Sequence, residues 1–232
     1  MDLSYRLETV ARAVSPGRRV ADVGTDHAYI PIYLVEEGII REAIASDINP
    51  GPLERAAQNI RAHGLEERIR VRLGSGLEPI EPEEADCVVI AGMGGDLMRR
   101  ILLQGQVFFE KGTEIVLQPQ SEWFKVRKLL HDQGYRIDRE WMIREDGHDY
   151  VVIRALPGEE TYPREESYLY GEVLIREKNR VLIDYLERHY MKKDGLLKDL
   201  EKRNRTSLDK RIRELRRDRD MIGSLLEEMR LS

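Results

Sequence analysis

The chain has little cysteine and no long apolar run. Cys87 is the only cysteine in 232 residues, which excludes an intrachain disulfide and suggests a reducing environment. It lies in the run Cys-Val-Val-Ile-Ala, which favours a small buried side chain over a nucleophile. No apolar run approaches the length of a membrane span, and the N-terminus lacks a signal-peptide core. We therefore expect a cytoplasmic protein that does not enter the membrane.

The chain also lacks the overall positive charge that is typical of nucleic-acid-binding proteins. Its net charge is −5, and that average conceals one basic segment. Residues 198–219 hold ten Lys and Arg against five Asp and Glu. Such a segment is a candidate contact for a phosphate backbone. A solvated helix face with interspersed charges would have the same composition.

Short apolar strands alternate with helices in the first two thirds of the chain. Strands are predicted at residues 19–23, 43–47, 70–73, 87–91 and 114–118. Helices are predicted at residues 3–14, 30–37, 52–63, 97–103 and 122–133. This alternation predicts an α/β fold with a doubly wound parallel sheet. Two more strands, 135–143 and 150–156, flank an Asp-Gly turn, which predicts an antiparallel hairpin at the edge. Seven strands in this arrangement are typical of Rossmann-like S-adenosylmethionine methyltransferases.

The composition changes after Pro157-Gly158, and from about residue 165 no strand pattern remains. Apolar residues then step by four and three, with Arg219 in the one polar slot: Leu208, Ile212, Leu215, Ile222, Leu226 and Met229. A facing helix is offered by Val181, Leu182, Tyr185, Leu186, Leu197 and Leu200. Asn204 is a candidate end for that helix, and Thr206 with Asp209 resembles a capping box for the next.

These patterns predict a helical hairpin over residues 165–230, packed as a short antiparallel coiled coil. We divide the chain into a cofactor-binding domain, residues 1–156, and a helical coiled-coil domain, residues 157–232. A coiled-coil seam can close within one chain or between two, and we expect a monomer.

Residues 20–53 have the layout of a βαβ nucleoside pocket. The first strand runs into a turn at Gly24, and Asp47 ends the next strand, 25 positions after Asp22. The glycine allows a ligand to approach the backbone, and the carboxylate can accept hydrogen bonds from a ribose. Asp26 stands two residues after Gly24, and no Gly-x-x-Gly follows. Because a carboxylate there would repel a pyrophosphate, a nucleoside without phosphates fits better, and S-adenosylmethionine is the common one.

Four loops at the carboxyl ends of the first four strands should converge on this pocket. They are residues 24–28, 47–49, 74–77 and 91–95. Asp47 is expected to hold the ribose diol rather than only to cap a helix. Asp26 would bind the methionine ammonium or a turn amide, and the role of Asp22 stays open. Ser75 and Ile48 would border the adenine, with core packing as the alternative for Ile48.

The fourth loop bears on which atom receives the methyl group. Enzymes that methylate an exocyclic amine of a base often carry Asp/Asn-Pro-Pro-aromatic at this place. This chain has Ala91-Gly92-Met93-Gly94, so only backbone groups can donate or accept hydrogen bonds in this loop. The loop argues against amine methylation of that type and leaves ring nitrogens open.

With these motifs, the sequence resembles the bacterial tRNA (adenine(22)-N1)-methyltransferases over residues 1 to about 156. Two unusual strings carry the resemblance, Thr25-Asp26-His27-Ala28-Tyr29 and Ala91-Gly92-Met93-Gly94-Gly95. Further matches lie at residues 3–7, 46–49, 51–53, 74–77 and 117–119. The family also carries a C-terminal coiled coil. The resemblance departs at Gln120, where the family pattern has Asn.

The resemblance implies methyl transfer from S-adenosylmethionine to N1 of an adenine in tRNA, without a metal. The expected cofactor contacts are Arg6, Gly24, Asp26, His27, Asp47, Ile48, Ser75, Gly76, Gly92 and Met93, with Arg6 on the methionine carboxylate. Asp26 or His27 is a candidate proton acceptor, although a structural histidine is an equal alternative. The candidate tRNA contacts are Tyr29 as a stacking surface, Gly94, Gln118, Gln120, Lys202, Arg203 and Arg205.

Two other functions fit the same patterns. A methyltransferase of this fold could act on a small molecule or a protein, with the coiled coil as a dimerisation element. A non-catalytic cofactor-binding scaffold could use the hairpin to recruit a partner.

Overall fold

The computed structural model describes residues 1–202 and 208–231, which form two compact units. The first unit is Met1–Tyr162 and the second begins at Pro163. The predicted domain boundary, after residue 156, lies a few residues earlier. Residues 158–162 stay with the first unit because Glu160 accepts a hydrogen bond from the Ile137 N–H at 2.8 Å.

The first unit contains a seven-stranded sheet and the helices that pack on it. The strands are β1 (Val20–Val23), β2 (Ala43–Asp47), β3 (Ile69–Leu73), β4 (Cys87–Met93), β5 (Glu114–Pro119), β6 (Tyr135–Glu145) and β7 (His148–Pro157). The helices are α1 (Tyr5–Ala13), α2 (Tyr29–Glu36), α3 (Pro50–Ala62), α4 (Gly95–Gln104), α5 (Gln106–Glu110) and α6 (Trp123–Asp132). A short 3-10 turn, Pro82–Glu84, precedes β4.

The strand order is β3-β2-β1-β4-β5-β7-β6. Strands β1 to β5 are parallel, and β7 lies antiparallel to both β5 and β6. The predicted Rossmann-like sheet with its hairpin is therefore confirmed, with the antiparallel strand next to the edge. The order reverses between β1 and β4, where a crevice opens at the carboxyl ends of the strands.

Local chemistry explains the two features that matter most for the sheet. Strands β1 and β5 are buried at every position, as expected for central parallel strands covered on both faces. The hairpin turn between β6 and β7 has positive φ angles at Asp146 (49°) and Gly147 (79°). Both angles suit a two-residue turn with the right-handed twist of the strands, which is why Asp-Gly is a dependable hairpin signal.

The second unit is helical within the part of it that the structure describes. A π-helical turn (Ser167–Gly171) and α7 (Glu172–Arg176) precede two long helices, α8 (Arg180–Lys202) and α9 (Asp209–Arg230). The predicted long helices are confirmed, while the short segment before them was not foreseen. Asn204 and the proposed capping box at Thr206 lie outside the described residues.

The seam between α8 and α9 uses the predicted apolar positions. Of the predicted positions, Leu182, Leu186 and Leu197 are buried on α8, and Leu215, Ile222, Leu226 and Met229 on α9; Leu225 is buried as well and was not predicted. Arg219, the polar slot, donates to Asp194 Oδ1 of α8 at 3.2 Å, so its charge is matched across the seam. None of the described helices combines the length and the apolar character that a membrane span requires.

Candidate active site

Three glycines with positive φ shape the loops at the crevice. Gly24 (75°) follows β1, Gly76 (56°) lies in the loop after β3, and Gly92 (77°) forms a bulge near the end of β4. The amides of Gly24 and Thr25 donate to the carbonyl of Ser46 at 2.8 and 2.9 Å. The β1 turn is thereby held against the end of β2. His27 and Ala28 also adopt left-handed conformations, which reverse the chain into α2.

Two cavities meet at Gly24. The first, about 340 Å³, is lined by Arg6, Leu7, Asp22, Gly24, Thr25, Asp26, Tyr29, Ile30, Ala91, Gly92, Met93 and Gln120. The second, about 370 Å³, is lined by Val23, Gly24, Ser46, Asp47, Ile48, Asn49, Gly74, Ser75, Gly76, Met93, Leu97, Arg100, Ile101 and Gln104. Gly24 and Met93 line both cavities, so the two together form one elongated cleft.

The Met93 side chain lies directly over Gly24. A Cβ atom placed on Gly24 would come within 1.9 Å of Met93 Cε, a distance that no pair of non-bonded carbon atoms tolerates. Because Gly24 has no side chain, Met93 can occupy the space at the junction of the two cavities. A ligand that spans both cavities therefore has to pass Gly24 and the Met93 side chain, which line both of them.

The first cavity holds one cation and two carboxylates. Asp22 is buried, and that burial raises its pKa to about 6; the charge of Asp47 adds to the rise, and the nearby Thr25 side chain offsets part of it. Asp26 is exposed, with its Oδ1 3.1 Å from Arg55 Nη2 and 3.4 Å from His27 Nε2. Arg6 supplies the positive charge. The set can bind both ends of a zwitterion.

A buried glutamine connects Arg6 to the β4 bulge. Gln118, on β5, is fully buried. Its Oε1 accepts hydrogen bonds from Arg6 Nη1 at 3.0 Å and from the Gly92 amide at 3.1 Å. The Arg6 guanidinium also lies 5.5 Å from the ring centroid of Tyr150, within range of a cation–π interaction. Gln118 therefore lies behind the wall of the first cavity and does not line it.

The second cavity carries the acidic end of β2. Asp47 Oδ1 accepts the amide of Asn49 at 2.7 Å, which orients the carboxylate at the start of α3. Ile48 is 63% exposed at the cavity, so it is not a core residue. Ser75 and Gly76 line the same cavity. These are groups suited to a ribose and a flat apolar ring.

Tyr29 of the first cavity stacks on His27, a predicted cofactor contact that lines neither cavity. The rings of His27 and Tyr29 stack with their centroids 5.1 Å apart and their planes at 7°. Tyr29 is 38% exposed and lines the cavity. Asn59 of α3 donates to the His27 carbonyl at 3.0 Å and fixes the backbone. The pair offers a flat surface on which a base can stack.

The other predicted tRNA contacts are distributed differently. Gln120 lines the first cavity, and its backbone N–H donates to the Met93 carbonyl at 2.9 Å. Gly94 caps α4 and lines neither cavity. Lys202 is exposed at the end of α8 in the second unit. Arg203 and Arg205 lie outside the described residues.

Comparison with known proteins gives a family. A family model described as a methyltransferase domain matches residues 3–153. A tRNA (adenine(22)-N(1))-methyltransferase from Bacillus subtilis (strain 168) is 37% identical over 192 residues, which is 79% of each chain. The chain belongs to this methyltransferase family.

Solved structures agree with this membership of the tRNA (adenine(22)-N(1))-methyltransferase family. The B. subtilis m1A22 tRNA methyltransferase TrmK superposes with a TM-score of 0.87 at 31% identity, covering 97% of this chain and 99% of that one. The Streptococcus pneumoniae protein Sp1610, in complex with S-adenosyl-L-methionine, superposes with a TM-score of 0.86 at 33% identity. That match covers 97% of this chain and all of the other.

Helix α4 of this family member contributes cavity residues that the sequence patterns did not single out. Leu97, Arg100, Ile101 and Gln104 all line the second cavity. Their spacing of three and four residues places them on one face of the helix. That spacing, directly after the glycine-rich loop, was the available signal. It could equally have indicated a core-facing stripe.

Proposed function

We propose that this chain transfers a methyl group from S-adenosylmethionine to N1 of an adenine in tRNA, at position 22 in the D-arm region. The observation that supports this most is the cleft over Gly24, which joins a charged cavity to an apolar one with a carboxylate. Family membership supports tRNA as the substrate over a small molecule, a protein or a scaffolding role.

The residues present fit this cofactor. Arg6 would hold the methionine carboxylate, and Asp22 with Asp26 would hold the ammonium. Asp47 would accept from the ribose hydroxyls, while Ile48, Ser75 and Gly76 would border the adenine. Gly24, without a side chain, would lie under the middle of the ligand. S-adenosylmethionine supplies an electrophilic methyl group when it is bound.

The protein's contribution to the reaction is mainly positional. Adenine N1 carries a neutral lone pair, so its attack requires no prior deprotonation. The segment Ala91–Gly94 offers only backbone groups as polar partners. This suits a ring nitrogen, which, unlike an exocyclic amine, requires no polar side chain to orient it. Holding N1 in line with the methyl group then supplies most of the rate enhancement.

N1 lies on the Watson–Crick edge of adenine, so a paired or stacked base has to leave its helix before it can react. The stacked pair of His27 and Tyr29 would receive the extruded base. Gln120, in the same cavity, would bind a polar edge of it. These assignments extend the geometry of the first cavity to the substrate.

Asp26 or His27 would accept a proton from N6 as the cationic product becomes neutral. Asp26→Asn keeps the size and removes the charge, and we expect at least about a tenfold lower single-turnover rate with bound cofactor. Equilibrium binding of S-adenosylhomocysteine, measured on the same variant, separates chemistry from cofactor affinity. A rate close to wild type with unchanged affinity would remove this role from Asp26.

Asp22→Asn is expected to stabilise the free protein at pH 8 and to weaken cofactor binding. The folded-state pKa of Asp22 is raised to about 6 from 3.8, so the folded protein binds this proton more tightly than the unfolded chain. The stabilisation from that proton is complete below about pH 4 and is lost as the pH rises through 6. Removing the buried charge should therefore gain on the order of 2–3 kcal/mol at pH 8.

Urea unfolding of both proteins at pH 8 and pH 5 measures this effect, and the difference should shrink at the lower pH. Calorimetry with S-adenosylhomocysteine at pH 8 should show weaker binding, because a neutral amide no longer balances the ammonium. If the Asp22→Asn variant is less stable than wild type at pH 8 and binds S-adenosylhomocysteine as tightly as wild type does, both roles of Asp22 are contradicted.

We assign the tRNA contact of the second unit to the end of the long helices that is next to residues 203–207. Most cations of α8 and α9 are neutralised by carboxylates: Arg216 by Glu201, Arg217 by Glu165, Arg230 by Glu187, Lys193 by Asp218 and Lys198 by Asp194. Lys202, Lys210 and Arg213 are exposed and have no ion pair within the described parts of the chain. Their charges are available to phosphates.

Replacing Lys202, Lys210 and Arg213 together by alanine should weaken tRNA binding. It should also make the plot of log affinity against log salt less steep, reducing the magnitude of its slope by about two to three. The matched control replaces Arg216, Arg217 and Arg230, which removes the same charge from residues that are already paired. Filter binding between about 50 and 200 mM salt gives both slopes. Equal losses for the two triple variants would overturn the assignment to this end of the helices.

The cytoplasmic location and the monomeric state that the sequence predicts belong to the same proposal. Light scattering should give a single species of 27.0 kDa, and a dimer mass would contradict the monomer.

The proposed reaction itself is tested by incubating unmodified tRNA with the protein and isotopically labelled S-adenosylmethionine. Nucleoside mass spectrometry after digestion at neutral pH, which avoids rearrangement of 1-methyladenosine, should find the label in 1-methyladenosine; label in N6-methyladenosine alone would refute attack by N1.

A further inference from the structure

Gln118 occupies an unusual position for a polar residue in a central strand. Its side chain is completely buried, and its Oε1 joins two parts of the first cavity, the Arg6 guanidinium and the Gly92 amide. Arg6 belongs to α1, whereas Gly92 belongs to the bulge of β4. One amide oxygen thus connects a helix and a loop that are far apart in the sequence.

The hydrogen bonds fix the orientation of this amide. Both partners of Oε1 are donors, so a flipped side chain would place an NH₂ group against two N–H groups. At the bulge, the Gly92 amide donates to the side chain of Gln118. The same contact therefore holds the left-handed backbone at Gly92 and the position of the guanidinium.

The group that accepts the hydrogen bond from the Arg6 guanidinium, the Gln118 side-chain amide, is neutral. Buried or half-buried arginines are usually paired with a carboxylate, as Arg127 with Glu140 and Arg154 with Asp138 in this protein. The Arg6 guanidinium has an amide oxygen and the face of Tyr150 instead, and forms no ion pair within the described residues. Glu145, the nearby carboxylate, accepts the backbone N–H of Arg6 at 3.3 Å. The guanidinium thus reaches the cavity without a carboxylate in direct contact with it.

We propose that Gln118 is a positioning residue that holds Arg6 in place without neutralising it, so that the guanidinium binds the carboxylate of the cofactor's methionine. This inference rests on the proposed function. A carboxylate at position 118 would accept the same two hydrogen bonds but would pair with Arg6 and compete with the ligand. A neutral acceptor is what an anion-binding arginine requires at this place.

The test compares two ligands that differ in the amino-acid group, whose carboxylate Arg6 would bind and whose ammonium Asp22 and Asp26 would bind. S-adenosylhomocysteine carries the amino-acid group, and 5′-methylthioadenosine lacks it. For Gln118→Glu we expect S-adenosylhomocysteine to bind at least about tenfold more weakly, as for the loss of a charged hydrogen bond. Binding of 5′-methylthioadenosine should stay within about twofold of wild type, since the second cavity is unchanged. Isothermal titration calorimetry measures both.

Two further variants make the outcome decisive. Gln133→Glu adds the same charge at the end of α6, away from both cavities, and should change neither affinity. Gln118→Met removes the acceptor without adding charge, and should show the same selective loss because Arg6 is no longer anchored. It carries the test if the Gln118→Glu variant does not fold.

Unchanged binding of S-adenosylhomocysteine by both Gln118 variants would overturn the inference, as would an equal loss of both ligands, which indicates only a damaged fold. A selective loss supports it. If the wild-type protein binds neither ligand, the proposed function itself fails, and that result is distinct from a failure of the Gln118 variants alone.

Discussion

Gly24→Ala is expected to weaken binding of S-adenosylhomocysteine by about a hundredfold or more. The new Cβ would lie 1.9 Å from Met93 Cε, so Met93 or the β1 turn has to move. Overpacking of this kind costs about 1–3 kcal/mol, and the left-handed φ of 75° adds about 1–2 kcal/mol for a residue with a side chain. Both costs fall at the junction of the two cavities, where the ligand has to lie.

Gly38→Ala is the matched control for this prediction. Gly38 also has a left-handed φ, 67°, but a Cβ there meets nothing within 4 Å. The two variants therefore share the backbone strain and differ in the collision with Met93. Calorimetry should show near-normal affinity for the Gly38→Ala variant. Melting curves should show a loss of stability for both variants, larger for Gly24→Ala because of the added collision. Normal cofactor affinity of the Gly24→Ala variant would contradict our description of the cleft.

Glu140→Ala is expected to lower the free energy of unfolding by about 3–5 kcal/mol. Glu140 Oε1 accepts a hydrogen bond from Arg127 Nε at 2.7 Å, and both side chains are completely inaccessible to solvent. The pair joins α6 to β6. Removing the carboxylate takes away the negative charge that the buried guanidinium contacts at 2.7 Å, and breaking a buried ion pair is among the most destabilising changes known in proteins.

The control is Asp86→Ala, which removes the partner of Arg19. That ion pair is formed at 2.8 Å, but its side chains are 41% and 31% exposed, so water can replace the lost partner. We expect a loss of about 1 kcal/mol or less. Urea unfolding of the two variants gives the comparison. Similar losses at both sites would show that burial does not decide the strength of the Arg127–Glu140 pair.

The sequence was sufficient for the sheet because its signals are local. Runs such as residues 87–91 are apolar at every position, which few structures other than a covered strand accommodate. The Asp146-Gly147 turn needs two positive φ angles, and Asp followed by Gly is one of the residue pairs that adopt them most readily. The loops at the crevice then follow from the order of the strands, since the carboxyl ends of parallel strands share one edge.

The contacts that organise the cleft were beyond the sequence because they join distant positions. Met93 packs over Gly24, and Gln118 links Arg6 to Gly92; neither contact leaves a periodic pattern. The burial of Arg127 had no sequence signal either, since a charged residue on an amphipathic helix normally faces water. Helix α5, Gln106–Glu110, is too short for helical periodicity to show.

The most direct test of the proposed function is primer extension by reverse transcriptase on unmodified bacterial tRNA that has been treated with the protein and S-adenosylmethionine. A methyl group on N1 blocks Watson–Crick pairing and stops the polymerase. We predict a new stop at one adenine of the D-arm region, at position 22. It should depend on the cofactor and disappear when that adenine is replaced by guanine. Full-length product from every tRNA tested, by a protein that binds S-adenosylhomocysteine, would contradict the proposed reaction.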